Sequence, residues 1–187
     1  MITHFSKMLN IKIDNFDFTQ KTQCQKLIND FSNAWYAYNE EEWYSFLNSE
    51  TGPSGENNKL RLYCKFKKSL NMENYIKVIY DPTKRQNIAK FRISSHNLAI
   101  EKERNRKRGK STVTERICKY CDTNKVENEY HVVMKCPYYN DERNDFFGRV
   151  TISPSTPPEE VFINMVKCKS YVIANEFSTY LYKIFTK

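Results

Sequence analysis

Four side chains that commonly bind metal ions lie within nineteen residues of the chain, in the pattern Cys118-x2-Cys121-x9-His131-x4-Cys136. A close cysteine pair followed by a histidine and a third cysteine supplies the four donors of a tetrahedral zinc site. The nine-residue gap can return the chain with His131 on a helix and Cys136 at its end. Such a site leaves no open position for chemistry, so the pattern predicts a Zn2+ ion that stabilises a fold.

The alternative is that these cysteines are small core residues, as free cysteines often are. Four ligand-type residues rarely group in this way by chance, so we favour the metal site. Cys24 and Cys64 stand apart from the group on apolar helix faces, and we expect both to pack in the core.

The cysteines also bear on the compartment. No apolar signal segment follows Met1, because charged residues interrupt every candidate, and no run approaches the roughly 18 apolar residues of a membrane span. Thiols stay reduced inside cells, where they can bind metal. We therefore expect an intracellular protein, nuclear or cytoplasmic, with no membrane partner.

Positive charge is concentrated in one part of the chain. Residues 83–119 contain twelve lysines and arginines against three glutamates, a net charge of +9, whereas the whole chain carries +8. A local positive field of this kind indicates a phosphate-binding surface, although charge runs are also common on ordinary solvated surfaces. The predicted nucleic-acid contacts are Arg104, Arg106, Lys107, Arg108, Lys110, Arg116 and Lys119, with Tyr120, Tyr130, Tyr138 and Tyr139 as stacking platforms.

Apolar residues recur at helical spacing along much of the chain, which predicts a mainly α fold with an embedded Cys3His zinc-binding segment. Residues 20–47 form two helices or one bent helix, residues 60–70 a second element and residues 83–94 a third. Pro137 follows Cys136 directly and suits the first position of a further helix.

Composition divides the chain into three regions. Residues 1–56 form an aromatic helical region that ends in a breaker rich in glycine and proline. Residues 57–150 form a basic helical region that carries the zinc site, and residues 151–187 form a proline-rich linker and a C-terminal helix.

Three segments carry a family resemblance: residues 90–101 (KFRISSHNLAIE), 116–121 (RICKYC) and 127–139 (ENEYHVVMKCPYY). They resemble the C-terminal zinc-binding segment downstream of reverse transcriptase domains in animal non-LTR retrotransposons, over about residues 57–147. One departure is Glu103, where such sequences often have glycine before the arginine matched by Arg104.

The resemblance implies that Cys118, Cys121, His131 and Cys136 bind zinc and that the basic segment touches RNA or DNA of the element. It also implies a reverse transcriptase core as a partner. It does not bring polymerase activity, because the chain contains no Asp-Asp pair and a two-metal polymerase needs clustered carboxylates.

The sequence is compatible with three functions. The first is phosphate-directed binding of RNA or DNA with low sequence specificity. The second is a protein-interaction or scaffold role, favoured by the aromatic stretch around Trp35, Tyr36 and Tyr38. The third, catalysis, is disfavoured because four metal donors leave no place for water. Glu129 is expected to support His131 or to cap a helix rather than to act on a substrate.

Overall fold

A computed structural model describes residues 9–12, 17–48, 59–104 and 112–187 of the chain. The chain divides into two compact units, Met1–Ser49 and Glu50–Lys187. The second unit includes residues 151–187, and the division into three regions by composition stays a prediction. The described residues are mainly helical, as the sequence predicts, and their one β feature outside helices and turns is an isolated bridge.

The first unit is built on one helix, α1, at Lys21–Asn48. Its 28 residues run without interruption, so the prediction of one helix rather than two is the correct alternative. Leu27 and Leu47 are buried, whereas Trp35 and Phe46 are 47% and 58% exposed. Cys24, predicted to lie in a core, is only half-buried.

The second unit contains seven α-helices among its described residues. They are α2 (Arg61–Phe66), α3 (Asn74–Val78), α4 (Pro82–Arg92), α5 (Ala99–Lys102), α6 (Asn140–Arg149), α7 (Pro158–Lys167) and α8 (Tyr171–Thr186). The start of α4 is encoded locally, since the Asp81 carboxylate accepts hydrogen bonds from the backbone N–H groups of Thr83 and Lys84 and Pro82 is at the first position.

Helix α8 lies at the centre of the second unit and packs against α4 and α6. Phe91 of α4 meets Phe177 of α8 edge to face, with 5.5 Å between ring centroids. Phe146 of α6 stacks on Tyr180 at 5.3 Å. Ile88 and Phe91 are fully buried, as the periodicity of residues 83–94 predicts. These aromatic contacts hold α4, α6 and α8 together.

Two predicted helices differ in length from the structure. The element predicted over residues 60–70 ends at Phe66, because Lys67 turns to an extended conformation and its ammonium pairs with Glu73. The predicted C-terminal helix is two helices, α7 and α8, separated at Cys168, which has a left-handed φ of 52°. Among the described residues, no helix combines the length and the apolar character needed to cross a bilayer.

Candidate metal centre

The first two ligand residues lie on a short hairpin. Ile117 and Val126 form the antiparallel bridge, and the backbone N–H of Cys118 donates to the carbonyl of Lys125 at 2.9 Å. Asn124 takes a left-handed φ of 52° in the turn, a conformation that asparagine tolerates better than most residues. The tight turn holds the side chains of Cys118 and Cys121 on one side of the hairpin.

The other two ligand residues lie on a single wide helical turn. His131–Lys135 is π-helical, and the backbone N–H of Cys136 donates to the carbonyl of His131 at 2.7 Å. The Asn128 side chain accepts a hydrogen bond from the backbone N–H of His131 at 2.8 Å. Val132 and Val133 are fully buried and anchor the turn in the core. The prediction that His131 lies on a helix with Cys136 at its end is therefore correct in outline.

Side chains from α6 and α8 hold this π turn by its carbonyl groups. Arg143 of α6 donates from Nε to the carbonyl of Val133 at 2.9 Å and from Nη2 to the carbonyl of Cys136. Tyr180 of α8 donates its hydroxyl proton to the same Val133 carbonyl at 2.8 Å. Carbonyl groups at the end of a helical turn lack intrahelical partners, so these donors fix both the turn and the Cys136 backbone.

The four predicted ligands come together in one cluster, which we call the metal cluster. One ligand atom from each of Cys118, Cys121, His131 and Cys136 lies within 4.8 Å of all the others. The Sγ atoms of Cys118 and Cys136 are 3.9 Å apart, and Cys121 Sγ is 3.4 Å from Nε2 of His131. The cluster could hold a metal ion.

The electrostatics of the metal cluster depend on burial. Burial raises the pKa of Cys118 to about 12 and also raises the pKa of Cys136. At Cys121, burial is outweighed by hydrogen bonds with Thr123, and the pKa falls. Burial, with the charge of Arg143, lowers the pKa of His131 and favours the neutral imidazole that ligates metals. A bound cation reverses the thiol shifts, since coordination removes the thiol proton.

A second buried polar cluster adjoins the first, and its members are far apart in sequence. Glu129 Oε1 accepts hydrogen bonds from Arg61 Nη2 at 2.5 Å and from Ser94 Oγ at 2.7 Å, and it lies 3.0 Å from Nε2 of His96. Arg61 Nη1 also pairs with Glu101. We call these five residues the Glu129 network.

The Glu129 network changes the predicted role of Glu129. Burial alone would raise its pKa, but hydrogen bonding and charge from His96, together with Arg61 and Ser94, lower it to about 2. The carboxylate is thus committed to Arg61, Ser94 and His96, and the predictions that it supports His131 or caps a helix are wrong. Asn128 is the residue that caps the His131 turn. No local spacing links Glu129 to Arg61, 68 residues away, so the sequence offered no signal for the pair.

Glu127 connects the hairpin to α5. Its Oε2 accepts a hydrogen bond from the backbone N–H of Ala99 at 3.1 Å, and its carbonyl accepts one from Ile100 at 3.2 Å. Burial raises the pKa of this carboxyl group. Glu127 is therefore a structural residue that joins two parts of the second unit, and it offers no exposed carboxylate for hydrolysis.

The predicted nucleic-acid contacts fall into three groups. Arg116 is 2% exposed and donates from Nη1 to the carbonyl of Ile100 at 2.9 Å, so its guanidinium holds the hairpin to α5. Arg104 is partly buried and pairs with Glu101 at 2.9 Å, whereas Lys119 is exposed. Four further predicted contacts lie outside the described residues: Arg106, Lys107, Arg108 and Lys110.

The four tyrosines predicted to stack on bases differ in their exposure to solvent. Tyr139 is buried, and Tyr130 is partly buried with its hydroxyl donating to Glu159 at 3.0 Å. Tyr120 and Tyr138 are 46% and 38% exposed, and their rings stack on each other with centroids 5.1 Å apart. Only this second pair presents ring surface to solvent beside the metal cluster.

Comparison with known proteins gives no match: no family model matches the chain, and neither does any curated protein or solved structure. The resemblance to retrotransposon segments therefore stays a prediction from the residues quoted above.

Proposed function

We propose that the chain is a zinc-stabilised nucleic-acid-binding module that contacts RNA or DNA mainly through phosphates, with low sequence specificity and no catalysis of its own. The observation that carries this proposal is the closed Cys3His cluster, which adjoins the most basic part of the chain.

The donor set and its spacing support zinc. Zn–S bonds of about 2.3 Å and Zn–N bonds of about 2.0 Å at tetrahedral angles place two sulfurs about 3.8 Å apart and sulfur and nitrogen about 3.5 Å apart. The observed separations of 3.9 Å for Cys118–Cys136 and 3.4 Å for Cys121–His131 fit these values. Three thiolates and an imidazole suit zinc among biological metals. Because all four positions are filled by protein, the site supports a structural role.

Some of the basic side chains of residues 83–119 are buried, and others are exposed. Arg92 and Arg116 are buried, and Arg92 lies over the Phe66 ring at 4.2 Å. Lys90, Lys102 and Lys119 are exposed in the described part of residues 83–119. A surface of this kind attracts phosphates with little base specificity and loses affinity as salt rises.

The origin of the module forms part of the same proposal. The resemblance of residues 90–101, 116–121 and 127–139 to retrotransposon segments supports RNA or DNA of such an element as the ligand. It also supports a reverse transcriptase core as a protein partner and a nuclear or cytoplasmic location.

The proposal is tested by measuring the binding of a fluorescent RNA and a fluorescent DNA by anisotropy between about 50 and 200 mM salt. We expect a steep loss of affinity with salt, and we expect the triple variant Arg106→Glu, Lys107→Glu, Arg108→Glu to bind weakly with a flatter salt slope. The matched control reverses Lys68, Lys77 and Lys169, which are exposed lysines outside the basic stretch. Equal binding by the two triple variants would reject the assignment of these contacts.

A protein-interaction role is the second candidate, favoured by the exposed aromatic residues of α1. Trp35 and Phe46 are 47% and 58% exposed, and Trp35 stacks on Tyr38 with ring centroids 6.2 Å apart. Sedimentation and nucleic-acid titration on one sample separate the two functions. A concentration-dependent dimer with no nucleic-acid binding at low salt supports this second candidate.

A further inference from the structure

Two exposed tyrosines lie within two residues of metal-ligand residues in the sequence. Tyr120 lies between Cys118 and Cys121, and Tyr138 follows Cys136 by two residues. Their rings are nearly parallel, with an interplanar angle of 26° and 5.1 Å between centroids. The buried Tyr139 supports both, at 6.2 Å from Tyr120 and 5.0 Å from Tyr138. Tyr120 is flanked by two ligand residues, and Tyr138 follows Cys136, whose carbonyl accepts a hydrogen bond from Arg143, so the two rings form an aromatic surface next to the metal cluster.

Cationic groups border this aromatic surface. Lys187 Nζ lies over the face of the Tyr138 ring at 4.5 Å from its centroid, donates to the Tyr138 carbonyl and pairs with Glu142 at 2.7 Å. The Tyr120 ring is stacked on Tyr138, and Tyr120 offers its outer face to a ligand. Lys119 precedes Tyr120 and is exposed. An aromatic ring with an exposed lysine beside it suits a ligand that has both a flat face and a negative charge.

We infer that the Tyr120–Tyr138 pair stacks an unpaired nucleobase and that the chain therefore prefers single-stranded to double-stranded nucleic acid. This inference rests on the proposed nucleic-acid binding and specifies its ligand. Stacking on an aromatic side chain contributes roughly 1–3 kcal/mol per base and tolerates any sequence. A base inside a duplex has both faces covered by its neighbours, so the pair discriminates in favour of single strands.

The adjoining charge favours this ligand over a peptide. A proline-rich or aromatic peptide can also stack on tyrosine rings, but it gains nothing from Lys119 or from the basic stretch of residues 83–119. A single-stranded nucleic acid uses both surfaces at once, its phosphates on the lysines and arginines and a base on the rings.

The test compares a single-stranded 16-nucleotide RNA, the DNA of the same sequence and the corresponding DNA duplex, each binding to the full chain purified with zinc. We expect tighter binding of both single strands at equal salt. Tyr120→Leu and Tyr138→Leu are each expected to weaken single-strand binding roughly 5- to 100-fold. Neither is expected to change duplex affinity or the salt slope.

Two controls accompany these variants. Tyr120→Phe keeps the ring and is expected to bind like the unaltered chain. Tyr80→Leu removes the ring of a tyrosine that is 89% exposed and distant in sequence from the metal cluster, and it is expected to change nothing.

Each outcome has one meaning. Salt-dependent binding with equal affinity for single and double strands, unaffected by Tyr120→Leu and Tyr138→Leu, overturns the inference and leaves the proposed function standing. Absence of nucleic-acid binding at any salt removes the proposed function itself, and binding of a peptide in its place supports the protein-interaction role. If the leucine variants lose zinc, photo-crosslinking of the unaltered chain to a bromouracil-containing strand decides: an adduct on Tyr120 or Tyr138 supports the inference, and adducts confined to other residues overturn it.

Discussion

The metal cluster and the Glu129 network are neighbouring buried polar clusters with different ways of balancing charge. The metal cluster gathers three thiols and an imidazole, and it needs an added cation before its thiolates are stable. The Glu129 network is balanced by cations of the chain itself, because Arg61 pairs with both Glu101 and Glu129 and Arg104 also pairs with Glu101. The two clusters meet along one segment, where Glu129 and His131 lie two residues apart. One segment thus contributes both to a cluster that could hold a metal ion and to a set of internal ion pairs.

This difference predicts different responses to disruption. Loss of the metal removes an external component and frees four ligands at once. Loss of one partner in the Glu129 network leaves a buried charge without its counterpart.

The largest effect is expected from removing the metal. Zinc contributes on the order of 10–16 kcal/mol of apparent folding energy in small zinc-finger peptides, so Cys136→Ser or a strong chelator should unfold much of the second unit. One zinc per chain by elemental analysis, and loss of helical circular dichroism on its removal, are the expected results. Cys64→Ser is the control, because Cys64 is half-buried and outside the metal cluster. Unchanged helicity after complete metal removal would contradict a structural metal.

The next effect concerns Arg61 in the Glu129 network. Arg61→Met leaves the buried carboxylates of Glu101 and Glu129 without their shared cation, and it should lower the free energy of unfolding by about 3–5 kcal/mol. Urea denaturation at constant zinc measures the change. Lys65→Met in the same helix is the control, because Lys65 is exposed. Equal stabilities of the two variants would show that Arg61 does not balance this network.

A smaller effect is expected from Arg143, which holds the π turn by its carbonyl groups. Arg143→Met removes charged hydrogen bonds to Val133 and Cys136 and should cost about 2–3 kcal/mol of stability. Because such supporting contacts orient metal ligands, zinc affinity in a chelator competition should also fall roughly 10- to 100-fold. Arg149→Met on the same helix is the control, since the Arg149 side chain is 57% exposed. A loss of stability without a loss of zinc affinity would show that the hydrogen bonds from Arg143 do not affect metal binding.

The smallest effect is expected in the hairpin turn. Asn124 has a left-handed φ of 52°, so Asn124→Ala should destabilise the fold by roughly 1 kcal/mol, whereas Asn124→Gly should be tolerated. Thermal unfolding of both variants measures the difference. If alanine and glycine had the same effect at this position, backbone conformation would not be the reason for asparagine there.

The contrast between the metal cluster and the Glu129 network also explains which parts of the molecule can be predicted from the sequence. The metal cluster was predictable because its ligands lie within nineteen residues and their chemistry is specific. Helix α4 was predictable because Asp81 and Pro82 mark its start and Ile88 and Phe91 its buried face. The Glu129 network was not predictable, since its partners are brought together by tertiary structure alone.

Charge was the least reliable guide. Arg92 and Arg116 count toward the net +9 of residues 83–119, yet both are buried, Arg92 against the ring of Phe66 and Arg116 against the carbonyl of Ile100. Local composition gives the sign of the charge on each side chain, but it does not show whether that side chain is buried or exposed. The break between α7 and α8 was missed for a related reason, because cysteine at position 168 gives no signal for a left-handed backbone.

The contact between Tyr180 and the Val133 carbonyl has a consequence for the order in which the protein matures on the ribosome. The cysteines at 118, 121 and 136 emerge from the exit tunnel well before residues 171–186, on which their turn rests. The Val133 carbonyl therefore gains its Tyr180 partner only after 47 further residues have been added to the growing chain.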